Sequence, residues 1–207
     1  MEIKEIWNSK DENIWKIALE EYNTNIDKKI LNIENEITQH DEESLGNLTP
    51  NDWFELLQKY FEWKYSSNKV SYSNRVNDLG KNELTTLYTI KNYFLHTDKK
   101  EIEKNLQILI KISGLGISGA SGLLALLYPE IYGTVDQFVI KSLDRTCMFP
   151  ELEYVDPKCL STSEKGIRLI IHIIEILQEK ANELNTIFKT EFWNPRKIDI
   201  ILWKHRI

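Results

Sequence analysis

Apolar residues in this chain recur every three or four positions almost from end to end, and almost nowhere every second one. That period belongs to helices with one buried stripe, so an all-α fold without a convincing strand is expected. Capping signals punctuate the pattern. Asp11 precedes a helix carrying Trp15, Ala18, Leu19 and Tyr22 on one face. Ile26, Ile30, Ile33 and Ile37 mark a second helix over about 25–38. Thr49-Pro50-Asn51-Asp52 combines an N-cap threonine, a first-turn proline and an acid, opening a helix with Trp53, Phe54, Leu57, Tyr60 and Phe61. Further helices are expected over 84–95, from a cap at Asp98 to Ile112, over 118–128 and over 137–143. The run Ser161–Glu164 (STSE) reads as a capping box opening a long helix to about Phe188, with Ile167, Ile170, Ile171, Ile174 and Leu177 as its stripe. Asn194-Pro195 opens the last helix; the apolar run Ile198–Leu202 would pass for a strand, but the cap and proline argue against it. Residues 40–47 and 66–77 read as polar connections, and 148–160, with Pro150 and Pro157, as irregular. A single all-helical domain over residues 1–207, or two lobes sharing a core, is expected.

Composition removes several classes. No apolar run reaches the roughly 18 residues that span a bilayer, so no membrane partner is expected. The N-terminal residues have no signal-peptide core, which makes a cytoplasmic location the default expectation. Cys147 and Cys159 are the only cysteines and are expected to be buried thiols. His40, His96, His172 and His205 form no ligand-spaced pair, and no zinc site is expected. The net charge of −6 speaks against a generally basic nucleic-acid binder. Its distribution softens that. Residues 1–103 hold 13 Lys/Arg against 20 Asp/Glu, a balance of −7, while residues 104–207 hold 13 against 12, a balance of +1. A DNA-binding face would come mostly from the C-terminal half.

One stretch stands out. Of residues 112–122, Gly114, Gly116, Gly119, Ala120 and Gly122 are glycine or alanine, in a chain otherwise crowded with Asn, Lys, Ile and Glu. Ser113–Ile117 separate two expected helices, and so tight a joint needs glycine's left-handed φ. Gly119, Ala120 and Gly122 are expected to let the second helix approach the first, with Leu109, Ile112, Leu115, Leu123 and Leu124 as the seam. This is the pattern of a helix-hairpin-helix. Its second helix would leave backbone N–H groups unpaired around Gly116–Gly119, suited to a phosphate oxygen and indifferent to base sequence. The alternative is a tight turn whose glycines serve packing only.

Asp136 lies twenty-two positions beyond Gly114, between Val135 and Gln137. With Gly114-Leu115-Gly116, Ala120 and the segment Val135–Lys141, it resembles the helix-hairpin-helix DNA glycosylases. That superfamily includes endonuclease III, the adenine-mismatch glycosylase and the 8-oxoguanine glycosylases. The resemblance covers about residues 104–145. It implies a two-lobed helical fold, double-stranded DNA as partner, and hydrolysis of the N-glycosidic bond of a flipped, damaged or modified base. It makes Asp136 the catalytic carboxylate and Gly114, Leu115, Gly116, Ile117, Ser118, Gly119 and Lys141 the DNA-binding residues. Lys141 stands where the family usually has arginine, and Gln137-Phe138 replace a small or polar pair. Ser118 occupies the position of the lysine nucleophile of bifunctional members, so the resemblance implies a monofunctional enzyme. It implies no iron–sulfur cluster, which places the chain nearer the 8-oxoguanine branch. No cofactor is expected beyond a monovalent cation at the hairpin's backbone carbonyls.

Asp136 would equally serve as N-cap of the helix that follows. Trp53, Trp63, Tyr65 and Tyr72 include candidates for a base-stacking wall, with Trp53 expected in the core. Phe61–Tyr65 (FEWKY), followed by a polar loop, reads as a pocket or wedge segment. Lys111, Lys141, Arg145 and Lys165 are candidate phosphate contacts. Trp193 and Trp203 are expected to pin the last helix. The rival readings are a non-catalytic helix-hairpin-helix DNA-binding domain and a helical protein-interaction module.

Overall fold

A computed structural model of the chain describes residues 1–153, 155–156 and 160–206. Among them are twelve α-helices and one short 3-10 turn, with no strand. The helices are α1 (Ile3–Asn8), α2 (Glu12–Asn25), α3 (Lys28–Thr38), α4 (Glu42–Asn47), α5 (Pro50–Lys64), α6 (Lys69–Leu79), α7 (Leu84–Leu95), α8 (Ile102–Leu109), α9 (Gly116–Leu127), α10 (Gln137–Arg145), α11 (Glu164–Phe188) and α12 (Pro195–Lys204).

The small-residue run explains the centre of the fold. Every residue of α9 from Gly119 to Leu127 is buried, as befits a helix apolar all round its circumference. It packs against α3, α5, α8, α11 and α12. Around it, α5 lies on α3, α6 and α7, and α12 lies on α2, α10 and α11. The expected caps hold several of these helices in place. Asp11 accepts from Asn13 N–H, Thr49 and Asp52 form a reciprocal box, and Asn194 accepts from Lys197 N–H. Trp53 and Trp193 are buried, and Trp203 stacks edge-on against Tyr22 at 6.0 Å.

Some expectations change. Residues 40–47 contain α4, because Asp41 caps it through Ser44 N–H at 2.8 Å and Leu45 is buried. The polar stretch 66–77 is largely α6, capped by Asn68 through Ser71 N–H at 2.9 Å. Its face is mostly solvated, and only Leu79 is buried, so helical periodicity was faint. Asp27 interrupts the expected helix over 25–38, so Ile26 closes α2 and α3 begins at Lys28. Helix α8 starts at Ile102 and ends at Leu109, shorter than the reading from Asp98 to Ile112. The cap of α11 is Ser163, not Ser161. The Ser161 carbonyl folds over Gly166, where an added Cβ would lie 2.0 Å from it, and Ser161 Oγ bonds Ser163 Oγ instead. Cys147 is exposed rather than buried: it takes φ +59° just past the end of α10. Pro157 and Cys159 lie outside the described residues.

Three inward-facing lysines show how this fold treats buried ammonium groups. Lys91 Nζ donates to the carbonyls of Leu45, Gly46 and Leu48, tying α7 to the turn before α5. Lys99 Nζ donates to Phe94, Leu95 and Thr97, closing the carbonyl end of α7. Lys180 Nζ donates to Trp7 O and pairs with Glu183. In each, carbonyls or a carboxylate replace the water lost on burial.

Candidate functional site

The hairpin comes first because its glycines have separate jobs. Gly114 has φ +95°, and a Cβ there would lie 2.7 Å from the carbonyl of Arg75. Gly116 has φ +61° with nothing within 4 Å of a would-be Cβ. The first glycine seats the turn on α6; the second faces open space. Asn82 clamps the turn from outside, accepting from Ser113 N–H at 3.0 Å and donating to Ser113 O at 3.3 Å. Helix α9 begins at Gly116, two residues earlier than expected, with no side-chain cap. Leu115, Ile117 and Gly119 are buried, so what the hairpin presents outward is backbone near Gly116 and Ser118, both half-buried. Lys141, Lys111, Arg145 and Lys165 are exposed.

Gly122 corrects one expectation. It does not face the first helix of the hairpin. A Cβ there would lie 2.6 Å from Tyr60 Oη and 3.1 Å from Lys64 Nζ, both on α5, and 3.5 Å from Thr134. Its smallness makes room for α5. Tyr60 then reaches α9, donating to Gly119 O at 2.7 Å.

Asp136 is the N-cap of α10. Its Oδ1 accepts from Phe138 N–H at 2.8 Å and Val139 N–H at 3.0 Å. Among the described residues no group donates to Oδ2. The residue is half-buried and lines a cleft of about 620 Å³. Residues 113–119 do not line that cleft. Ser121 bridges the two segments: its Oγ donates to Ser118 O at 3.1 Å and accepts from Val135 N–H at 3.0 Å. The hairpin is thus bonded to the residue before the acid through a buried serine.

The rest of the cleft comes from α2, α3, α5 and α12. Trp63 and Lys64 line it, as the FEWKY reading expected of that segment. Tyr65 and Tyr72 are half-buried and do not line it. Sequence reasoning missed the charged floor. Arg196 bridges two buried carboxylates: Nη2 donates to Glu34 Oε1 at 2.6 Å and Nη1 to Asp199 Oδ1 at 2.5 Å. Glu34 Oε2 also accepts from Tyr22 Oη at 2.6 Å and Trp63 Nε1 at 2.9 Å. Asp199 Oδ2 accepts from Thr134 N–H at 2.5 Å. The Arg196 guanidinium lies 5.2 Å from the Trp63 ring centre. Burial would raise the Glu34 carboxyl, but Arg196, Tyr22 and Trp63 hold it below the ordinary glutamate range. Burial pushes Asp199 up to about 7 against the pull of Arg196 and the Thr134 N–H. With both oxygens accepting from N–H donors, the ionised form is the one this geometry holds. The only forward signal was the Arg196/Asp199 spacing of i, i+3 on α12.

At the mouth, Arg206 Nη1 donates to Trp203 O at 2.8 Å, and its guanidinium stacks 3.7 Å from the Trp203 ring centre. Set beside protein-family models, curated proteins and solved structures, the chain matches none.

Proposed function

We propose that this protein is an Asp136-dependent DNA glycosylase-like enzyme that excises a damaged or modified base from duplex DNA by breaking its N-glycosidic bond. The supporting observation is the placement of Asp136. Its Oδ1 is used up as a helix cap, its Oδ2 is left without a donor among the described residues, and the residue stands on the wall of a cleft of about 620 Å³, with Ser121 bonding the preceding Val135 N–H. That volume falls within the roughly 300–1,000 Å³ typical of small-molecule sites. The cleft is lined by residues of α2, α3, α5 and α12 together with Thr134 and Asp136. A flipped nucleotide would enter there. As the glycosidic bond stretches, positive charge develops on the deoxyribose, and a fixed carboxylate in a partly dry site stabilises it and orients water. Trp63, Lys204 and Arg206 also line the cleft. The Gly116 turn offers its backbone to the phosphates.

The test is chromatographic detection of released base across a broad panel of lesion-bearing duplexes, with retention of each duplex measured alongside. Base released by the wild-type chain and not by Asp136→Asn is the expected result. Duplex retention without release from any lesion would remove the catalytic reading.

A second reading is favoured by the burial of Leu115, Ile117 and Gly119 and by the net charge of −6. It is a helix-hairpin-helix domain that binds DNA or a protein without chemistry. It expects salt-sensitive duplex binding that survives Asp136→Asn and weakens with Gly116→Glu. Failure to retain any duplex at low salt would leave only the protein-interaction form.

A further inference from the structure

Ser121 is the one polar side chain on the buried length of α9, residues 119–127, where every other residue is glycine, alanine or leucine. It is fully buried. Alanine there would fill nearly the same space without burying a hydroxyl, so the group's presence calls for bonds that replace its lost water. It has them. Its Oγ lies 3.1 Å from Ser118 O, and serines within helices often bond back to the preceding turn in this way. The same oxygen accepts from Val135 N–H at 3.0 Å and lies 3.3 Å from Val135 O. Those two contacts leave the helix and reach the segment that enters α10. That segment is held from its other side as well. Thr134 N–H donates to Asp199 of α12, and a Cβ on Gly133 would lie 2.5 Å from Leu177 Cδ1 and 2.9 Å from Pro195 O. Val135 is fully buried, so without Ser121 its N–H would lose its acceptor with no water in reach. Asp136 follows directly, its Oδ1 committed to the cap of α10. Where Oδ2 points is therefore set by backbone that Ser121 helps to hold.

We propose that Ser121 is a positioning residue for Asp136: its hydroxyl fixes the backbone leading to the acid, and so fixes where the carboxylate stands against the reacting sugar. This rests on the base-excision reading of the cleft and adds to it a residue that touches neither DNA nor the reacting atoms. The hairpin itself does not line the cleft. Ser121 bonds both the hairpin carbonyl at Ser118 and the Val135 N–H, so the backbone offered to phosphate and the backbone carrying the acid keep one relation to each other. The hairpin has supports of its own in Asn82 and in the seat of Gly114 on α6, and these do not depend on the hydroxyl. Removing the hydroxyl therefore leaves the phosphate-facing turn in place and frees the backbone at residues 135 and 136. The loss should fall on the rate of bond breaking and not on the affinity for duplex.

The test exchanges a hydroxyl for a methyl at constant shape. Ser121→Thr keeps the hydroxyl, Ser121→Val replaces it, and both carry the same added methyl. Single-turnover base release is measured at matched folded concentration on the lesion duplex that the wild type processes fastest, with the dissociation constant for that duplex alongside. Ser121→Thr should release base at least about tenfold faster than Ser121→Val while their dissociation constants agree within about twofold, since an ångström-scale misplacement is enough for such a loss of rate. In the Asp136→Asn background the same pair should differ by less than about twofold, because a residue acting through Asp136 then has nothing to position. Equal rates for the two variants overturn the proposal. So does a difference that persists undiminished in the Asp136→Asn background, or a loss shared equally by rate and affinity; either makes Ser121 a packing residue. If the branched pair fail to fold, as thermal transitions report, Ser121→Ala against the wild type repeats the comparison without the added methyl. No release by the wild type from any lesion rejects the base-excision reading and this proposal with it. Release by the wild type with equal rates in the two variants rejects Ser121 alone and leaves Asp136 standing.

Discussion

Glu34, Arg196 and Asp199 sit at the cleft with nearly every valence filled, whereas Lys64 and Asp136, in the same cleft, keep an amine and a carboxylate oxygen without partners among the described residues. Glu34, Arg196 and Asp199 are withdrawn from bulk water, whereas Lys64 and Asp136 are half-buried and keep contact with it. The difference lies in what replaces that water. For the first set, the phenol of Tyr22, the indole of Trp63 and the Thr134 N–H replace it, which fastens α12 to α2, α3 and α5. The second set still faces the open cleft, so its groups are available to a ligand there. A saturated buried ion is a strut; a polar group left facing a cleft is a candidate reactive centre.

The largest expected effect tests the strut. Arg196→Met leaves Glu34 and Asp199 buried and uncompensated, so unfolding free energy should fall by about 3–5 kcal/mol, read from urea transitions. A change near zero would erase the contrast. Next, Asp136→Asn should lower base release by about 10²–10³-fold, the loss expected when one fixed charge stabiliser is removed. Its stability should shift by less than about 0.5 kcal/mol, because asparagine caps a helix nearly as well as aspartate. A parallel loss of stability would put Asp136 with the struts. Gly122→Ala should cost about 1–3 kcal/mol by overpacking, because its Cβ would meet Tyr60 Oη at 2.6 Å. An unchanged unfolding free energy would show that the Tyr60 side chain gives way.

The smallest effect is in pH. The Glu34 carboxyl is held below its ordinary value, so the stability it supplies is fully present above about pH 4.3, the unfolded value, and is lost as pH falls through the lower folded value. Thermal midpoints between pH 6 and pH 2 should therefore drop less steeply in Glu34→Gln than in the wild type. Equal slopes would show that Glu34 is not ionised against Arg196.

Much of the helical frame was legible because caps are local. Asp11, Thr49 with Asp52, Asn194 and Asp136 each announce a helix start through their own side chain. The left-handed glycines at 114 and 116 were legible for the same reason. Helices α4 and α6 were not, because each buries one residue and shows no stripe. The candidate site was half visible. Asp136 could be named from its place after the hairpin, but apart from Thr134 its cleft is built by residues sixty or more positions away along the chain. Lys64 was visible only as a member of an aromatic segment. That Gly122 faces α5 rather than α8 depends on how α9 is rotated in the core, which no local pattern records. Glu34 and Arg196, 162 positions apart, carried no joint signal at all.

The most direct measurement is single-turnover release of base from whichever lesion duplex the wild type processes fastest, compared with Asp136→Asn at matched folded concentration. A cleft whose open carboxylate faces the reacting sugar predicts release from the wild type and a rate at least about a hundredfold lower in the variant. Equal rates in the two proteins would contradict it.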